Sequence, residues 1–331
     1  MGAGGARRIL ITGGAGFIGS HLARRLVAEG DEVVVLDDLS EGALENIRDL
    51  PEVRFVEGDI RDEAVVMDAA RGCSGILHHA AKRSVPRSVR EPVLTTEVNV
   101  RGTLNVLLGA REHGAVFVSA SSSSVYGDQD VFPLHEEMDL RPRSPYAASK
   151  LATEIYCNAM CVADGMKTVS LRYFNVFGPG QDPASEYAAV IPRFIVACLE
   201  GDRPVIHGDG EQSRDFTFID DVVNANLLAL GAPSAAFGRA FNIGGGGRPT
   251  SVNRLLQLVA ALCGVTPDPV HEPPREGDVR RTEADISKAA EAFGYRPRVP
   301  IEDGLRRTVD AFRGPAAAQG RVALDSSRDG A

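Results

Sequence analysis

Short hydrophobic runs alternate with longer mixed stretches through the first half of the chain. The runs are rich in β-branched residues and lie at residues 9–11, 33–36, 53–56, 75–79, 115–119 and 169–173. Between them, stretches such as residues 21–29 and 97–112 have the length and composition of helices. Buried runs of this length predict strands, and strands that alternate with helices predict a parallel sheet covered on both faces. The pattern therefore predicts a doubly wound α/β fold.

The second half of the chain has a different texture. Gly, Pro and polar residues crowd residues 178–186 and 201–214. We therefore expect residues 8–176 to form the domain that contains the sheet. Residues 177–313 are expected to form mainly a smaller, loop-rich domain on the other side of a ligand cleft.

Two features qualify this division. Residues 205–206 and 241–243 are short apolar pieces, and both are candidates for additional strands of the main sheet. Residues 1–7 and 314–331 carry no apolar periodicity. These two segments are expected to be flexible tails.

Charge and cysteine content narrow the range of functions. The 331 residues include 36 basic and 45 acidic side chains, which give a formal net charge of −9. This balance argues against general binding to nucleic acids or to anionic membranes, and no apolar run approaches the ~20 residues of a spanning helix.

The five cysteines are scattered and odd in number, and none forms a Cys-x-x-Cys pair. Such usage predicts reduced thiols in a cytoplasmic protein, without a disulfide framework or a metal site.

A glycine-rich turn follows the first predicted strand. Gly13, Gly16 and Gly19 have the spacing Gly-x-x-Gly-x-x-Gly and open the first predicted helix. This spacing allows a tight turn and the close approach of a pyrophosphate to main-chain N–H groups at the positive end of the helix dipole. A plain strand-to-helix turn is the alternative interpretation.

A carboxylate at the end of the second predicted strand favours dinucleotide binding. Asp37 follows the run 33–36 directly, where it can accept hydrogen bonds from both hydroxyls of an adenosine ribose. Because an acid there repels a 2′-phosphate, NAD is favoured over NADP. Asp59 and Ile60 follow the third strand and are expected beside the adenine.

A phenol and an ammonium form the candidate catalytic pair. Tyr146 and Lys150 are four residues apart, so they share one face of a helix. A phenol has a pKa near 10, which must fall by ~3 units for it to act as a base at neutral pH. A nearby ammonium and the positive nicotinamide ring both lower it. The alternative is a surface pair on a helix.

Four consecutive serines precede this pair, at residues 121–124. A serine hydroxyl both donates and accepts, so one of them can relay a proton between Tyr146 and a substrate hydroxyl. A flexible polar turn is the alternative for this run.

These motifs together resemble the extended short-chain dehydrogenase/reductase family, which has a Rossmann-type fold. Within it, the chain is most similar to the nucleotide-sugar 4-epimerases of the UDP-galactose 4-epimerase group, and in particular to the UDP-glucuronate and UDP-N-acetylglucosamine 4-epimerases. The resemblance covers roughly residues 8–312. Its markers are residues 13–19, 58–62, 78–82, 99, 119–127, 144–150, 171–175, 214–216, 220–222, 241–244 and 275–278.

The resemblance implies a role for each active-site group. Tyr146 is implied as the catalytic base, and Lys150 as the group that tunes it and binds the NAD ribose. Ser122 is implied as the hydroxyl relay, with Ser123 and Ser124 beside it.

The resemblance also implies residues for both ligands. The implied NAD contacts are Gly13, Gly16, Phe17, Ile18, Gly19, Asp37, Asp38, Ser40, Asp59, Ile60, Ala80, Ala81, Lys82, Asn99, Tyr146, Lys150 and Tyr173, the last of which faces the nicotinamide. The implied UDP-sugar contacts are Ser84, Ser122, Asn175, Val190, Arg193, Arg214, Arg275, Asp278 and Thr282. Among these, Asn175, Arg214 and Arg275 are expected to hold the diphosphate, and Asp278 the uridine ribose. Relatives form homodimers through the helices at 97–112 and 146–164, so a homodimer is expected.

The implied reaction removes a hydride and then returns it. Tyr146 takes the O4 proton while C4 gives its hydride to NAD, and the 4-keto sugar turns before it receives the hydride on its other face. Relatives that dehydrate or decarboxylate carry carboxylates in the stretch that is Ser122, Ser123 and Ser124 here. Epimerisation is therefore favoured, and a UDP-glucuronate decarboxylase or another NAD-dependent sugar-nucleotide oxidoreductase is the alternative. A non-enzymatic NAD-sensing module is the alternative from another class.

The sugar is left open between two classes. Galactose epimerases have a bulky Tyr or a Cys where this chain has Thr282, and the smaller side chain leaves room for a uronate or an N-acetyl group. Gly180 stands where many relatives have an Arg, which removes a cation that would meet a uronate carboxylate. Arg193 is a candidate substitute for that cation.

The pair His78-His79 has no third metal ligand at useful spacing, so core packing is expected for both histidines.

Overall fold

The computed structural model describes residues 6–183, 189–274 and 279–314. Its strands are β1 (Arg8–Thr12), β2 (Glu32–Asp37), β3 (Arg54–Glu57), β4 (Gly75–His78), β5 (Val116–Ser122), β6 (Thr168–Tyr173), β7 (Val176–Phe177), β8 (Val205–His207), β9 (Ser213–Arg214), β10 (Thr217–Phe218), β11 (Arg239–Ile243), β12 (Thr250–Ser251) and β13 (Val270–Glu272). Its α-helices are α1 (Phe17–Ala28), α2 (Glu63–Ala70), α3 (Val85–Arg90), α4 (Pro92–Thr96), α5 (Thr103–His113), α6 (Pro145–Asp164), α7 (Val190–Glu200), α8 (Ile219–Leu230), α9 (Val252–Cys263), α10 (Ser287–Phe293) and α11 (Ile301–Arg313). Short 3₁₀ turns lie at Leu44–Asn46, Ser123–Tyr126 and Ser234–Ala236, and a π-helical stretch, Glu97–Gly102, joins α4 to α5.

Seven parallel strands form the central sheet. Their order is β11-β6-β5-β4-β1-β2-β3. The six strands predicted from the hydrophobic runs are all present, and the predicted doubly wound α/β fold is confirmed. The chain order reverses at β1, which lies between β2 and β4. Ligands of such sheets bind at this switch point, outside the carboxyl ends of the strands.

The apolar runs form strands because both faces of the sheet are covered. In β1, Ile9 and Ile11 join one core cluster, whereas Leu10, between them, joins the cluster on the opposite face. In β2, Val33 and Val34 are divided between the two clusters in the same way. Successive side chains of a strand point to opposite faces, so only a continuous apolar run satisfies both.

The second half of the chain contributes to the same core. β11 pairs with β6 and completes the sheet, as expected for residues 241–243. β8 instead pairs with β13 outside the main sheet, so residues 205–206 do not return to it. Leu22 of α1, Phe194 of α7 and Leu255 of α9 belong to one buried cluster. The predicted halves therefore share a core, and their division into two domains stays a prediction.

Two predicted segments fall partly outside the described residues. Of the expected tails, residues 1–5 and 315–331 are not described. Arg7, at the end of the first tail, is described and pairs with Asp31 at 2.5 Å.

Within the described ranges, no helix combines the length and the apolar content that crossing a bilayer requires.

Candidate active site

A large cleft of about 1430 Å³ opens at the carboxyl ends of the sheet strands. Ligand pockets are commonly ~300–1,000 Å³, so this cleft has room for two extended ligands side by side. The predicted site residues that line it are Gly13, Gly16, Phe17, Ile18, Gly19, Asp37, Asp38, Ser40, Asp59, Ile60, Ala80, Ala81, Lys82, Ser122, Ser123, Ser124, Tyr146, Lys150, Tyr173, Asn175, Arg214 and Thr282.

Other described residues of the predicted site do not line the cleft. Ser84 caps α3 by accepting a hydrogen bond from the Arg87 N–H at 3.1 Å. Val190 and Arg193 lie in the first turn of α7. Neither they nor Ser84 are among the residues that line the cleft. Arg275 and Asp278 fall outside the described residues.

The glycine turn brings its backbone against the neighbouring loop. Gly13 has a φ of +70°, and a Cβ there would lie 2.6 Å from the Ala80 nitrogen. A Cβ on Gly19 would collide with the Gly13 carbonyl oxygen. α1 begins directly after this turn, with no side-chain hydrogen bond at its N-cap Gly16 and no acidic residue in its first turn. Its first N–H groups are thus available to an anion, and the turn fits a pyrophosphate.

Asp37 sits at the end of β2 with its carboxylate held by the backbone. One oxygen accepts from the Ala15 N–H at 3.0 Å and the other from the Leu39 N–H at 2.9 Å. Burial raises the pKa of Asp37, whereas these two hydrogen bonds lower it. Each carboxylate oxygen keeps a second acceptor site. The residue therefore fits a ribose with two hydroxyls.

Asn99 acts on the cleft indirectly. Its side chain accepts from the Lys82 N–H at 2.7 Å and donates to the Lys82 carbonyl at 3.0 Å and to Ser149 of α6 at 2.9 Å. Asn99 is buried and does not line the cleft. It therefore fixes the loop after β4, from which Lys82 donates to the Ser40 hydroxyl at 2.6 Å.

The electrostatics around Tyr146 differ from the prediction. Burial raises the pKa of Tyr146, whereas a hydrogen bond with the Ser122 side chain and the charge of Arg83 lower it. The Lys150 ammonium, which we expected to lower it, donates to the Ala120 carbonyl at 2.7 Å. Burial lowers the pKa of Lys150 to about 8. Among the described residues, Arg83 is the cation whose charge lowers the pKa of Tyr146, and it also lines the cleft.

The serine run forms a defined turn. The Ser122 hydroxyl oxygen accepts from the Ser124 N–H at 3.2 Å and from the Ser124 hydroxyl at 2.9 Å. A hydroxyl that accepts two hydrogen bonds still has its own proton to donate. Ser122 is thus prepared to donate toward Tyr146 or a ligand hydroxyl.

Tyr173 is held at the end of β6 by two partners. Its hydroxyl donates to the Asn226 side-chain oxygen at 3.0 Å, and its ring stacks on His79 with centroids 6.0 Å apart. Burial raises the pKa of Tyr173. It is therefore a neutral wall of the cleft.

His78 packs in the core, as expected. Its two ring nitrogens lie 2.7 and 2.8 Å from the hydroxyls of Thr12 and Thr103. Burial lowers the pKa values of both His78 and His79, so both imidazoles are neutral at physiological pH. Over the part of the chain that the structure describes, no cluster of three or more potential metal ligands is present.

The opposite wall of the cleft joins three distant segments. The Asn175 amide nitrogen donates to the Thr282 hydroxyl at 3.0 Å and to the Asp215 carbonyl at 3.1 Å. Both of its amide protons are thus used inside the protein, and its contact to a diphosphate stays a prediction. Arg214, beside Asp215, lines the cleft. Burial raises the pKa of Asp215 to about 6, and its carboxylate accepts the N–H groups of Gly245 and Ala284.

Sequence reasoning missed several cations of the cleft. Arg83, Arg143, Arg280 and Arg281 all line it. Arg83 directly follows the Ala-Ala-Lys motif, a position that could have drawn attention to it. The other three looked like ordinary surface charges.

Comparison with known proteins identifies the family. The model of the NAD dependent epimerase/dehydratase family matches residues 9–244, which is most of the chain. The chain belongs to the NAD dependent epimerase/dehydratase family. The resemblance stated from the motifs is thereby confirmed.

Individual relatives agree with this assignment. A UDP-glucose 4-epimerase of Mycolicibacterium smegmatis is 40% identical over 92% of this chain and 98% of its own length. Among solved structures, UDP-glucose 4-epimerase of Thermotoga maritima, with UDP-glucose, is 41% identical, with a TM-score of 0.88 over 92% of this chain and 98% of that one. UDP-N-acetylglucosamine 4-epimerase of Methanobrevibacter ruminantium, in complex with UDP-N-acetylmuramic acid, is 35% identical, with a TM-score of 0.89 over 93% and 98%.

Family membership settles two of the expectations. The protein is an NAD-dependent enzyme of the epimerase type, and NAD is its cofactor, as predicted. The features that fit NAD are the glycine turn at the start of α1, the Asp37 carboxylate at the end of β2, and the cleft that continues to Tyr146.

Proposed function

We propose that the chain is a UDP-sugar 4-epimerase that inverts C4 through a transient 4-keto sugar. The observation that carries the proposal is the shared cleft. It brings the glycine turn, the Tyr146 phenol with its Ser122 hydrogen bond, and the Arg214 guanidinium to one continuous space. NAD, when bound there, supplies the acceptor and then the donor of the hydride.

The protein's own groups move the proton. Tyr146 accepts the proton of the sugar O4, directly or through Ser122, and returns it after the sugar has turned. Arg83 and the Ser122 hydroxyl stabilise the phenolate, because both lower the pKa of Tyr146. Lys150, anchored on Ala120, is assigned to the NAD ribose.

The substrate must be held at one end only. A guanidinium matches diphosphate oxygens well, so Arg214 is the proposed grip among the described residues. The segment that contains Arg275 and Asp278 is proposed to complete the nucleotide site. A firmly held diphosphate and a loosely held sugar allow the 4-keto ring to present its other face.

The serine turn argues against two related reactions. Relatives that dehydrate or decarboxylate a 4-keto sugar carry carboxylates in this stretch. Here the cleft has the hydroxyls of Ser122, Ser123 and Ser124 at those positions. Epimerisation needs only Tyr146 and the hydroxyl relay.

The proposed sugars are substituted hexoses: UDP-glucuronic or UDP-galacturonic acid, or UDP-GlcNAc or UDP-GalNAc. Thr282 is small and lines the cleft. Its size leaves space for a carboxylate or an N-acetyl group.

A panel of UDP-sugars tests this proposal. Purified protein is incubated with each sugar nucleotide, and the products are separated by chromatography. We expect one pair of C4 epimers to interconvert without consumption of free NAD, and Tyr146→Phe to lose at least ~10²-fold in turnover. A protein that converts none of the sugars, or a Tyr146→Phe form that keeps full turnover, would contradict it. Release of CO₂ from UDP-glucuronate would instead show a decarboxylase.

We also propose a homodimer through α6. Several large apolar side chains are exposed on α6 and on the adjoining α3 and α4, namely Val89, Val93, Ile155 and Val162. Exposed apolar clusters of this kind are typical of interfaces. Sedimentation of the wild type against Val162→Asp tests this, with a shift toward monomer expected in the variant.

The free thiols of all five cysteines support the expected cytoplasmic location.

A further inference from the structure

A buried ion pair lies directly behind the serine turn. Glu154 of α6 and Arg172 of β6 are 8% and 4% exposed. The Arg172 Nε and Nη2 donate to the two Glu154 oxygens at 2.9 and 2.7 Å. Such a two-bond pair has a fixed relative orientation. The proposed reaction does not use either residue directly.

This ion pair forms hydrogen bonds with residues that precede and follow Ser122 in the chain. On one side, the Ser121 hydroxyl donates to Glu154. On the other, the Arg172 Nη1 donates to the Tyr126 hydroxyl at 2.9 Å. Ser122 lies between these two attachments, at the end of β5 and the start of the Ser123–Tyr126 turn.

The same ion pair fixes the helix that carries the phenol. Glu154 follows Lys150 by four residues and Tyr146 by eight, so the three side chains share one face of α6. Movement of α6 relative to β5 would have to break the contacts of Glu154 with Ser121 or Arg172. Those contacts are buried, where an unpaired charge is strongly unfavourable.

We infer that Glu154 and Arg172 are positioning residues, which hold the segment that carries Ser122 against the helix that carries Tyr146. The inference rests on the proposed function, because it assigns the pair a part in the same proton transfer. Ser122 lowers the pKa of Tyr146 through its hydrogen bond. Loosening the pair therefore weakens that hydrogen bond and makes the phenol harder to ionise.

Two serine variants provide a matched test. Ser121 and Ser119 lie two residues apart on β5, so they share one face, and both are buried. Ser121 bonds to Glu154, whereas Ser119 bonds to the Ser170 hydroxyl at 3.1 Å. We expect Ser121→Ala to lower kcat about 10-fold with little change in KM. Ser119→Ala should leave both constants within about 2-fold.

Titration of Tyr146 gives a readout that does not depend on turnover. The protein has six tyrosines and no tryptophan, so tyrosinate absorbance can be followed without indole background. The difference between each protein and its Tyr146→Phe counterpart isolates the phenol. We expect Ser121→Ala to shift this titration upward by roughly one pH unit, and Ser119→Ala to leave it in place.

A double-mutant cycle shows whether the pair acts through Ser122. If it does, Ser121→Ala has little further effect on kcat in a Ser122→Ala background. Tyr126→Phe removes the second attachment and is expected to lower kcat about 3-fold. Glu154→Gln should have the largest effect, and if it fails to fold, the Ser121 and Tyr126 variants decide the question.

The inference is overturned if Ser121→Ala behaves like Ser119→Ala in both kcat and the Tyr146 titration. It is also overturned if the Ser121 and Ser122 effects on kcat are fully additive. A wild-type protein inactive on every UDP-sugar would contradict the proposed function instead. In that case the shift of the Tyr146 titration alone still supports or overturns the positioning role of Glu154 and Arg172.

Discussion

The two walls of the cleft are built in different ways. On the cofactor side, the glycine turn and Asp37 come from one strand–helix–strand unit, and backbone groups make most of the contacts. On the substrate side, Asn175 and Thr282 meet across 107 residues of sequence through side-chain hydrogen bonds. The cofactor wall is thus a local product of chain geometry. The substrate wall depends on hydrogen bonds between distant segments, and Asp215 takes part in several of them.

This difference predicts that changes in one wall leave the other intact. Variants in the glycine turn should affect NAD affinity and spare the affinity for a UDP-sugar. Variants of Asp215 or Thr282 should do the reverse. Coupled effects of similar size on both ligands would contradict the comparison.

The largest effect is expected for Gly13→Ala. Gly13 has a left-handed φ, and the new Cβ would press on the backbone of Ala80. We expect NAD affinity to fall by at least ~10²-fold, measured by calorimetry on NAD-free protein. Gly114→Ala is the matched control, because Gly114 has a φ of +62° but open space around it. That variant should lose stability without losing NAD affinity.

Lys150 lies where the two walls meet, and we expect it to support activity at a cost in folding stability. Burial lowers the pKa of Lys150 from 10.5 to about 8, so the folded state disfavours the ammonium at neutral pH. Stability from this group therefore increases as the pH rises from 8 toward 10.5. We expect Lys150→Met to gain roughly 2–3 kcal/mol in urea unfolding at pH 7, after loss of the Ala120 hydrogen bond, and to lose activity. Lys167 is exposed, so Lys167→Met should change neither the unfolding stability nor the activity. A Lys150→Met protein that is less stable than the wild type would contradict the argument.

Asp215 should give the substrate wall a pH-dependent stability that is greatest in acid. Burial raises its pKa from 3.8 to about 6, so the folded state binds this proton more tightly than the unfolded chain does. The stabilisation is therefore complete below pH 4 and is lost as the pH rises through 6. Relative to Asp215→Asn, the wild type should lose roughly 2 kcal/mol of unfolding free energy between pH 4 and pH 7. A difference independent of pH would show that Asp215 is not the group involved.

The smallest effect is expected for Thr282→Val. The substitution keeps the shape of the side chain but removes the hydroxyl that accepts from Asn175 and from the Asp215 N–H. We expect a loss of about 1–2 kcal/mol in stability and a higher KM for the UDP-sugar. NAD affinity, measured on the same preparation, should be unchanged.

The same contrast explains what could be predicted from the sequence. The strands were found because the parallel sheet demands continuous apolar runs, and the glycine turn because its geometry restricts residue type locally. The cation acting on Tyr146 could not be found in this way. Spacing places Lys150 on the correct helix face, but only the fold shows its ammonium turned toward Ala120 and Arg83 left to act on the phenol.

The substrate wall was harder to predict for the same reason. Asn175 reaches the cleft, yet its amide protons are used by Thr282 and Asp215, which no local pattern reveals. The Ser84 hydroxyl caps α3, a role that the sequence analysis did not predict, and its contact with a ligand stays a prediction. Roles that depend on a partner far away in the chain require the three-dimensional arrangement.

The position of β11 has a consequence for synthesis on the ribosome. The strand at one edge of the sheet, Arg239–Ile243, is made more than sixty residues after its neighbour, Thr168–Tyr173. Until it emerges, the outer edge of that neighbour exposes unpaired backbone groups, an arrangement that invites pairing with other chains. A nascent chain stalled before residue 239 should therefore be open to aggregation, and the first half should not be obtainable as a well-behaved fragment.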